Sequence, residues 1–231
     1  MSKKFYVRDC HDFIKELDEN SIDLLYINPP FATTACYWDQ SLRWDELFPE
    51  MFRVVKPNGN IVIHTSIPFT YTMIRHKKPN YHFTFQKGRP TGHLNAKREP
   101  LRDLEEILIY KVTPTAKYFP QMKGDTEHYS KRENPKGSKY NQKQKSYETT
   151  HKGSYPRIFL GKYPYISQKD SPKSIDDELT KYIIKTYTEE GDRILDFCCC
   201  NQNNGCIAEQ LGRHYIGSDI SDQYLGSYDL N

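Results

Sequence analysis

The residues of this chain that could do chemistry centre on Asn28-Pro29-Pro30-Phe31, a segment that follows an apolar run at 22–27. The amide oxygen of Asn28 and the carbonyl oxygen of Pro29 are acceptors that could take hydrogen bonds from one amino group. Such bonds would localise the lone pair of an exocyclic base amine and aim it at an electrophilic methyl group. The Phe31 ring could stack on an extruded base. The segment indicates methyl transfer to an amine, and its alternative interpretation is a plain sharp loop.

The neighbouring sequence predicts where this segment lies. The run at 22–27 is short, leucine-rich and β-branched, which is typical of a strand buried on both faces of an α/β sheet. Pro29 and Pro30 lack N–H groups and end the strand, and Asn28 is held extended because it precedes a proline. Open α/β folds place their sites at the carboxyl ends of such strands. We therefore expect the Asn28 segment at that edge of the sheet.

The alternation of strand and helix patterns predicts an α/β fold with a doubly wound, mostly parallel, Rossmann-like sheet and helices on both faces. Residues 57–59, Pro-Asn-Gly, predict a turn between a helix and a strand. We expect strands over 5–7, 22–27, 61–64, 82–85, 105–111, 193–197 and 215–218, and helices over 12–17, 42–55, 69–75, 175–187 and 205–211.

Further segments share a pattern with one known family. They are Ser21-Ile22-Asp23-Leu24-Leu25, Thr33-Thr34-Ala35-Cys36, Trp38-Asp39, and residues 54–59, 91–102, 105–108 and 118–122. Together with the Asn28 loop they resemble the DNA amino-methyltransferases, in particular the adenine-N6 enzymes of bacteria and phages. Residues 181–217 look like the cofactor half of that family. In this chain the catalytic loop comes before the cofactor half. This is the permuted order that is typical of the β class of the family.

The resemblance implies S-adenosylmethionine as cofactor, DNA as partner and residues 28–31 as the catalytic loop. It places cofactor contacts at Asp9, Asp196, Phe197, Cys200 and Asp219. In the family pattern, Asp219 binds the ribose hydroxyls, Asp9 meets the adenine amine and Asp196 faces the methionine end. For each aspartate the alternative interpretation is a helix cap or a strand end.

Three positions depart from the family pattern. Cys200 and Gln202 stand where the family normally has glycine, in the turn that follows Asp196. If φ is positive at these positions, the Cβ of each residue lowers the stability of the fold by about 1–2 kcal/mol. Asn28 stands where relatives usually carry aspartate, so it keeps an acceptor oxygen but lacks the charge that would stabilise a developing positive amine. We expect this to slow the reaction without abolishing it.

The segment 123–163 is basic and rich in tyrosine, with ten basic and four acidic residues. Lysine and arginine can neutralise phosphates, and aromatic and amide groups can stack on or read bases. We predict a target-recognition insert here, between a catalytic half at 1–122 and a cofactor half at 164–231. The alternative is a solvated loop that orders only on DNA. The candidate DNA-binding residues are Lys97, Arg98, Lys131, Arg132, Lys143 and Lys145.

The composition limits the class of protein. The chain has 231 residues, 36% of them hydrophobic, which is enough for one substantial core. Its net charge is +3. It has no apolar run of about 18 residues and no signal-peptide pattern at the start, so we expect no membrane segment and a cytoplasmic location. The cysteine spacing, three of six being consecutive at 198–200, favours neither a disulfide framework nor a metal site. A homodimer or a heteromeric partner stays open.

Three functions are compatible with these features. The first is a DNA methyltransferase that acts on adenine N6, or less favourably on cytosine N4. The second is a non-catalytic DNA-binding or partner subunit, which the replacements at Cys200 and Gln202 would explain. The third is an RNA or protein-glutamine amino-methyltransferase, which only the asparagine at position 28 suggests.

Overall fold

The computed structural model describes residues 2–132, 147–163 and 176–223. Among these residues, no helix is both long and apolar enough to cross a membrane. The strands are β1 (Lys3–Val7), β2 (Ile22–Ile27), β3 (Val55–Thr65), β4 (Tyr81–Thr91), β5 (Arg102–Lys111), β6 (Lys123–Arg132), β7 (Tyr147–Ser154), β8 (Phe159–Lys162), β9 (Arg193–Asp196) and β10 (His214–Asp219). The helices are α1 (Cys10–Lys15), α2 (Trp44–Val54), α3 (Phe69–His76), α4 (Asp177–Tyr187) and α5 (Asn203–Gln210).

Eight of these strands form one sheet in the order β1-β10-β9-β2-β3-β5-β4-β8. Every neighbouring pair is parallel except those of β5, which runs antiparallel to both β3 and β4. The last strands of the chain, β9 and β10, lie between β1 and β2. This confirms the predicted mostly parallel sheet, with its permuted chain order.

Strand β2 shows why the sheet is covered on both faces. Leu25 and Ile27 belong to a core that includes buried residues of α1, α2 and α3. Leu24 and Tyr26 belong to a second core that includes buried residues of α4 and α5. Because side chains alternate along a strand, the unbroken apolar run Leu24–Ile27 must be buried on both sides. The doubly wound arrangement is therefore a direct consequence of this run.

The chain divides into two compact units, one made of Met1–Phe119 with Ile158–Asn231 and the other of Pro120–Arg157. In the second unit, β6 and β7 form an antiparallel hairpin in which His128 pairs with His151. The expected insert ran from 123 to 163, but β8 at Phe159–Lys162 pairs with β4 in the main sheet. Four residues suffice for such an edge strand, and they carry no periodic pattern that distinguishes them from a loop.

The predicted turn at 57–59 is built as an irregularity inside β3. Val55 pairs with Ile22, whereas Asn60 pairs with Leu24, so β3 carries additional residues between two paired segments. Gly59 lies in this irregularity, and a Cβ there would come within 2.6 Å of the carbonyl oxygen of Asp23. Only glycine allows the two backbones to approach this closely.

Replacing Gly59 by alanine is expected to lower the free energy of unfolding by about 2 kcal/mol or more, because the new methyl group meets rigid backbone. Urea unfolding measures the change. The matched variant Asn58→Ala alters an exposed neighbour and should change stability by less than about 0.5 kcal/mol. Equal effects of the two variants would contradict the close backbone approach.

Candidate active site

The structure brings four of the predicted site residues to one edge of the sheet. Asn28 directly follows β2, Asp196 and Asp219 end β9 and β10, and Asp9 follows β1. These four strands are neighbours and parallel, so their carboxyl ends meet at the same edge. The loops that follow them form the candidate site.

The Asn28 loop is fixed by packing. Pro29 is buried and Asn28 is half-buried. Within the described residues, the Asn28 side chain forms no hydrogen bond, so its amide oxygen is available to a substrate. The Phe31 ring stacks on Phe69, the first residue of α3, with ring centroids 5.1 Å apart and planes 20° apart. A base could therefore stack only on the other face of Phe31.

Asp39 holds the backbone that leaves this loop. Its carboxylate accepts hydrogen bonds from the amides of Ala32, Thr33 and Thr34 at 2.7, 2.9 and 2.7 Å, and from the Thr34 hydroxyl at 2.7 Å. Burial would raise the pKa of Asp39, but these hydrogen bonds prevail and lower it. Asp39 therefore carries a charge that fixes three successive amides. Sequence reasoning assigned it no role, although it lies in one of the family-like segments.

Asp196 is buried in the turn beyond β9. Its Oδ1 accepts a hydrogen bond from the Cys198 amide at 3.1 Å, and its Oδ2 accepts from Asn204 Nδ2 at 2.9 Å and from the Tyr215 hydroxyl at 3.0 Å. Burial raises the pKa of Asp196 to about 6. Oδ1 thus holds the turn, and Oδ2 holds α5 and β10. A contact from Asp196 to the methionine end of a cofactor stays a prediction.

A chain of buried polar side chains extends from Asp196 into the second core. Thr180 donates to Asn204 Oδ1 at 3.1 Å, the Tyr26 hydroxyl lies 3.5 Å from Thr180 Oγ1, and it lies 3.0 Å from His64 Nε2. Burial lowers the pKa of His64 to about 3, so its ring is neutral. Sequence reasoning missed this chain. The one available signal was a histidine and a tyrosine next to apolar residues of the two strands.

The two positions that depart from the glycine pattern adopt left-handed backbone. Cys200 has φ +45° and Gln202 has φ +68°. The Cys200 amide donates to Asp219 Oδ2 at 2.9 Å, and the Gln202 amide donates to the Cys199 carbonyl at 2.9 Å. The turn therefore keeps a conformation that suits glycine, at the expected cost of about 1–2 kcal/mol for each Cβ.

Asp219 offers a carboxylate beside this turn. It is half-buried, and its Oδ1 accepts from the Ser221 amide at 3.2 Å. Two buried polar atoms, Ser218 Oγ beside Asp219 in the chain and Asn201 Nδ2 in the turn, have no hydrogen-bond partner among the described residues. Leaving buried polar atoms without partners costs stability. Phe197, a predicted cofactor contact, is buried in the core that includes residues of α1–α3. Its contact with a cofactor stays a prediction.

Asp9 caps helix α1. Its Oδ1 accepts from the His11 amide at 2.8 Å and lies 2.9 Å from His11 Nδ1, while His11 Nε2 accepts from the Arg43 amide at 3.1 Å. Burial would raise the pKa of Asp9, but its hydrogen bonds with His11 prevail and lower it. Ligand atoms of Asp9, Cys10 and His11 lie within 4.8 Å of one another. Since both ring nitrogens of His11 are engaged, the cluster is a helix cap, and a contact from Asp9 to an adenine amine stays a prediction.

The cysteines of the turn are thiols rather than thiolates. All six cysteines of the chain are free. Burial raises the pKa of Cys198, Cys199 and Cys200, the last to about 12. Cys199 is buried, and Cys198 and Cys200 are half-buried.

The predicted DNA-binding residues are distributed over both units. Lys97 and Arg98 are exposed just after a short 3₁₀ turn at His93–Asn95. Lys131 is exposed on β6, opposite Glu148, and Arg132 ends that strand. The other two, Lys143 and Lys145, lie outside the described residues.

Comparison with known proteins decides the family. The sequence profile of a family described as DNA methylase, covering N6 and N4 methyltransferases, matches residues 22–228. The chain belongs to this DNA methylase family. The type II methyltransferase M.BglII of Bacillus subtilis is 23% identical over 254 residues, a match that covers 96% of this chain and 66% of M.BglII. This chain thus spans about two thirds of that relative.

Solved structures of DNA methylases share the fold. The cytosine-N4-specific PvuII DNA methyltransferase matches with a TM-score of 0.67 and 15% identity, over 97% of this chain and 84% of that one. The M1.HpyAVI–SAM complex matches with a TM-score of 0.60 and 19% identity, over 96% and 95% of the two chains.

Removing the Cβ at position 200 is expected to stabilise the protein. Cys200→Gly should raise the free energy of unfolding by about 1 kcal/mol, because glycine adopts φ +45° without the steric cost. Cys200→Ala keeps the Cβ and should give no such gain. If both variants change stability equally in urea unfolding, the effect comes from the sulfur and not from the backbone.

The raised pKa of Asp196 predicts a pH-dependent stability difference. A carboxyl whose folded-state pKa is about 6, against an ordinary 3.8, gives a stabilising contribution that is complete below the unfolded-state pKa and lost as pH rises through about 6. Between about pH 4 and about pH 7.5, wild type should lose about 2 kcal/mol of unfolding free energy relative to Asp196→Asn. Urea unfolding at both values measures this, and a constant difference would contradict the raised pKa.

Proposed function

We propose that this chain transfers a methyl group from S-adenosylmethionine to the exocyclic amine of a base extruded from DNA. Adenine N6 is the preferred target, and cytosine N4 is the alternative. One observation carries the proposal: the free acceptor of Asn28 follows β2, and the polar turn with Asp219 follows the strands next to it, at the same sheet edge. Membership of the DNA methylase family supports it.

The Asn28 loop prepares the nucleophile. The Asn28 amide oxygen and the Pro29 carbonyl accept hydrogen bonds from the two N–H bonds of the amine, which favours a tetrahedral nitrogen with a localised lone pair. The prolines restrict the loop, the Phe31–Phe69 stack supports it from one side, and the exposed face of Phe31 orients the base. Asn28 is neutral, so it aligns the amine without stabilising its developing positive charge.

The turn after β9 and the end of β10 hold the cofactor in this proposal. Each Asp219 oxygen accepts one hydrogen bond from the protein, so each keeps a lone pair for a ribose hydroxyl. Ser218 Oγ and Asn201 Nδ2 are the buried groups that a polar ligand would satisfy. When bound, S-adenosylmethionine supplies an electrophilic methyl group on a sulfonium.

A non-catalytic partner subunit is not favoured. Cys200 and Gln202 keep the left-handed backbone of the glycine turn, and the curated relatives are methyltransferases. Lys97, Arg98 and Lys131 are exposed cations that we assign to DNA phosphates, and the hairpin β6–β7 is the element that we assign to target recognition.

Replacing Asn28 by alanine tests the proposed division of roles. Transfer of labelled methyl from S-adenosylmethionine to unmethylated genomic DNA should fall by about 100-fold or more, because the amine loses one of its two acceptors. Cofactor affinity, measured by calorimetry, should stay within about twofold, since Asn28 lies outside the cofactor turn. Mass spectrometry of the digested DNA identifies the methylated base.

The matched variant Asn28→Asp keeps an acceptor oxygen and adds the charge that relatives usually carry. It should retain or exceed wild-type activity. Absence of cofactor binding to wild type at millimolar ligand, with or without DNA, would overturn the proposed enzyme. Cofactor binding with unchanged transfer in Asn28→Ala would overturn the role of Asn28 alone.

A further inference from the structure

A β-turn beyond the Asn28 loop presents two adjacent aromatic side chains to solvent. The Asp39 amide donates to the Cys36 carbonyl at 3.0 Å, which makes Tyr37 and Trp38 the two corner residues of the turn. Tyr37 is 76% exposed and Trp38 is 52% exposed. Turn corners usually carry small or polar residues, so two neighbouring large rings at this position need another explanation.

Hydrogen bonds connect this turn to two parts of the candidate site, the Asn28 loop and the segment after β10. The Asp39 carboxylate binds the three amides that follow Phe31, which connects the turn to the Asn28 loop. The Tyr37 hydroxyl donates to Gln223 Oε1 at 3.2 Å, which connects it to the segment after β10. The turn, and the Tyr37 side chain through its hydroxyl, are therefore held at the edge of the sheet where the amine would react.

Neither ring belongs to the two hydrophobic cores of the described residues. Neither Tyr37 nor Trp38 has a ring contact with another residue in the part of the chain that the structure describes. Tyr81, in contrast, is 50% exposed at the amino end of β4, on the opposite edge of the sheet. A solvent-facing aromatic pair on a fixed turn beside the reactive loop is a surface that suits the faces of nucleobases.

We propose that Tyr37 and Trp38 form an aromatic wedge that enters the base stack of duplex DNA next to the target. The inference rests on the proposed function. Extruding a base breaks its pairing and leaves its neighbours without a stacking partner. Flat side chains that occupy this space restore part of the lost stacking and slow the return of the base. The Phe31 loop receives the base, and the wedge maintains the opening in the duplex.

The test compares paired and already unpaired targets. The methylated position is first mapped by sequencing genomic DNA that wild type has modified. Two short duplexes of that sequence are then prepared, one with the target base paired and one with the target base opposite an abasic residue. The wedge variants are Tyr37→Ala, Trp38→Ala and the conservative Trp38→Phe, and Tyr81→Ala is the matched control.

On the paired duplex, each alanine variant should lower kcat/KM by about tenfold or more, a loss expected from removing one stacked ring. On the abasic duplex, the same variants should stay within about threefold of wild type, because the target is already unstacked. Trp38→Phe should retain most activity on both duplexes, and Tyr81→Ala should match wild type. Cofactor affinity and unfolding midpoints should not change.

Two results would overturn the wedge. Equal losses on the two duplexes would make Tyr37 and Trp38 general contacts or structural residues. No loss on either duplex would exclude a role in transfer and leave the pair as a surface for a different partner. Failure of wild type to methylate either duplex, or the genomic DNA, would instead remove the proposed function itself.

Discussion

Three hydrogen bonds to the buried Asp196 carboxylate fix the geometry of the cofactor side. They come from three elements: the Cys198 amide of the turn, Asn204 in the first turn of α5, and the hydroxyl of Tyr215 on β10. Burial favours the protonated acid, and the three donors favour the carboxylate. Because one group holds turn, helix and strand, a change in its ionisation acts on all three at once.

The same carboxylate is coupled to strand β2, which precedes the Asn28 loop. The Thr180 hydroxyl donates to Asn204, so Thr180 Oγ1 is left to accept from the Tyr26 hydroxyl. The Tyr26 oxygen then accepts from Nε2 of His64, which is consistent with a neutral ring. Every bond in this chain is oriented toward Asp196, and each donor polarises the next. Tyr26 lies on β2 two residues before Asn28, so this buried network reaches the strand that carries the Asn28 loop.

The sequence predicts best what depends on neighbouring residues. The apolar run of β2 and the prolines after it are local signals, and they correctly predicted the strand and the position of Asn28 at its end. The chain from His64 to Asp196 joins five elements, and the pairing of β8 with β4 joins distant segments, so neither has a local signal. The role of Asp39 is local, but many aspartates near loops look the same until the amide directions are known.

The backbone conformation at Cys200 and Gln202 also depends on residues that are distant in the sequence. Their left-handed backbone is maintained by contacts outside the two residues, including the Asp219 carboxylate on the Cys200 amide and the bond from the Cys206 amide to the Gln202 carbonyl. Strained backbone persists where surrounding bonds over-determine it. The conformation of the turn therefore does not require glycine. Each Cβ in the left-handed region still costs about 1–2 kcal/mol of stability, which the surrounding hydrogen bonds offset.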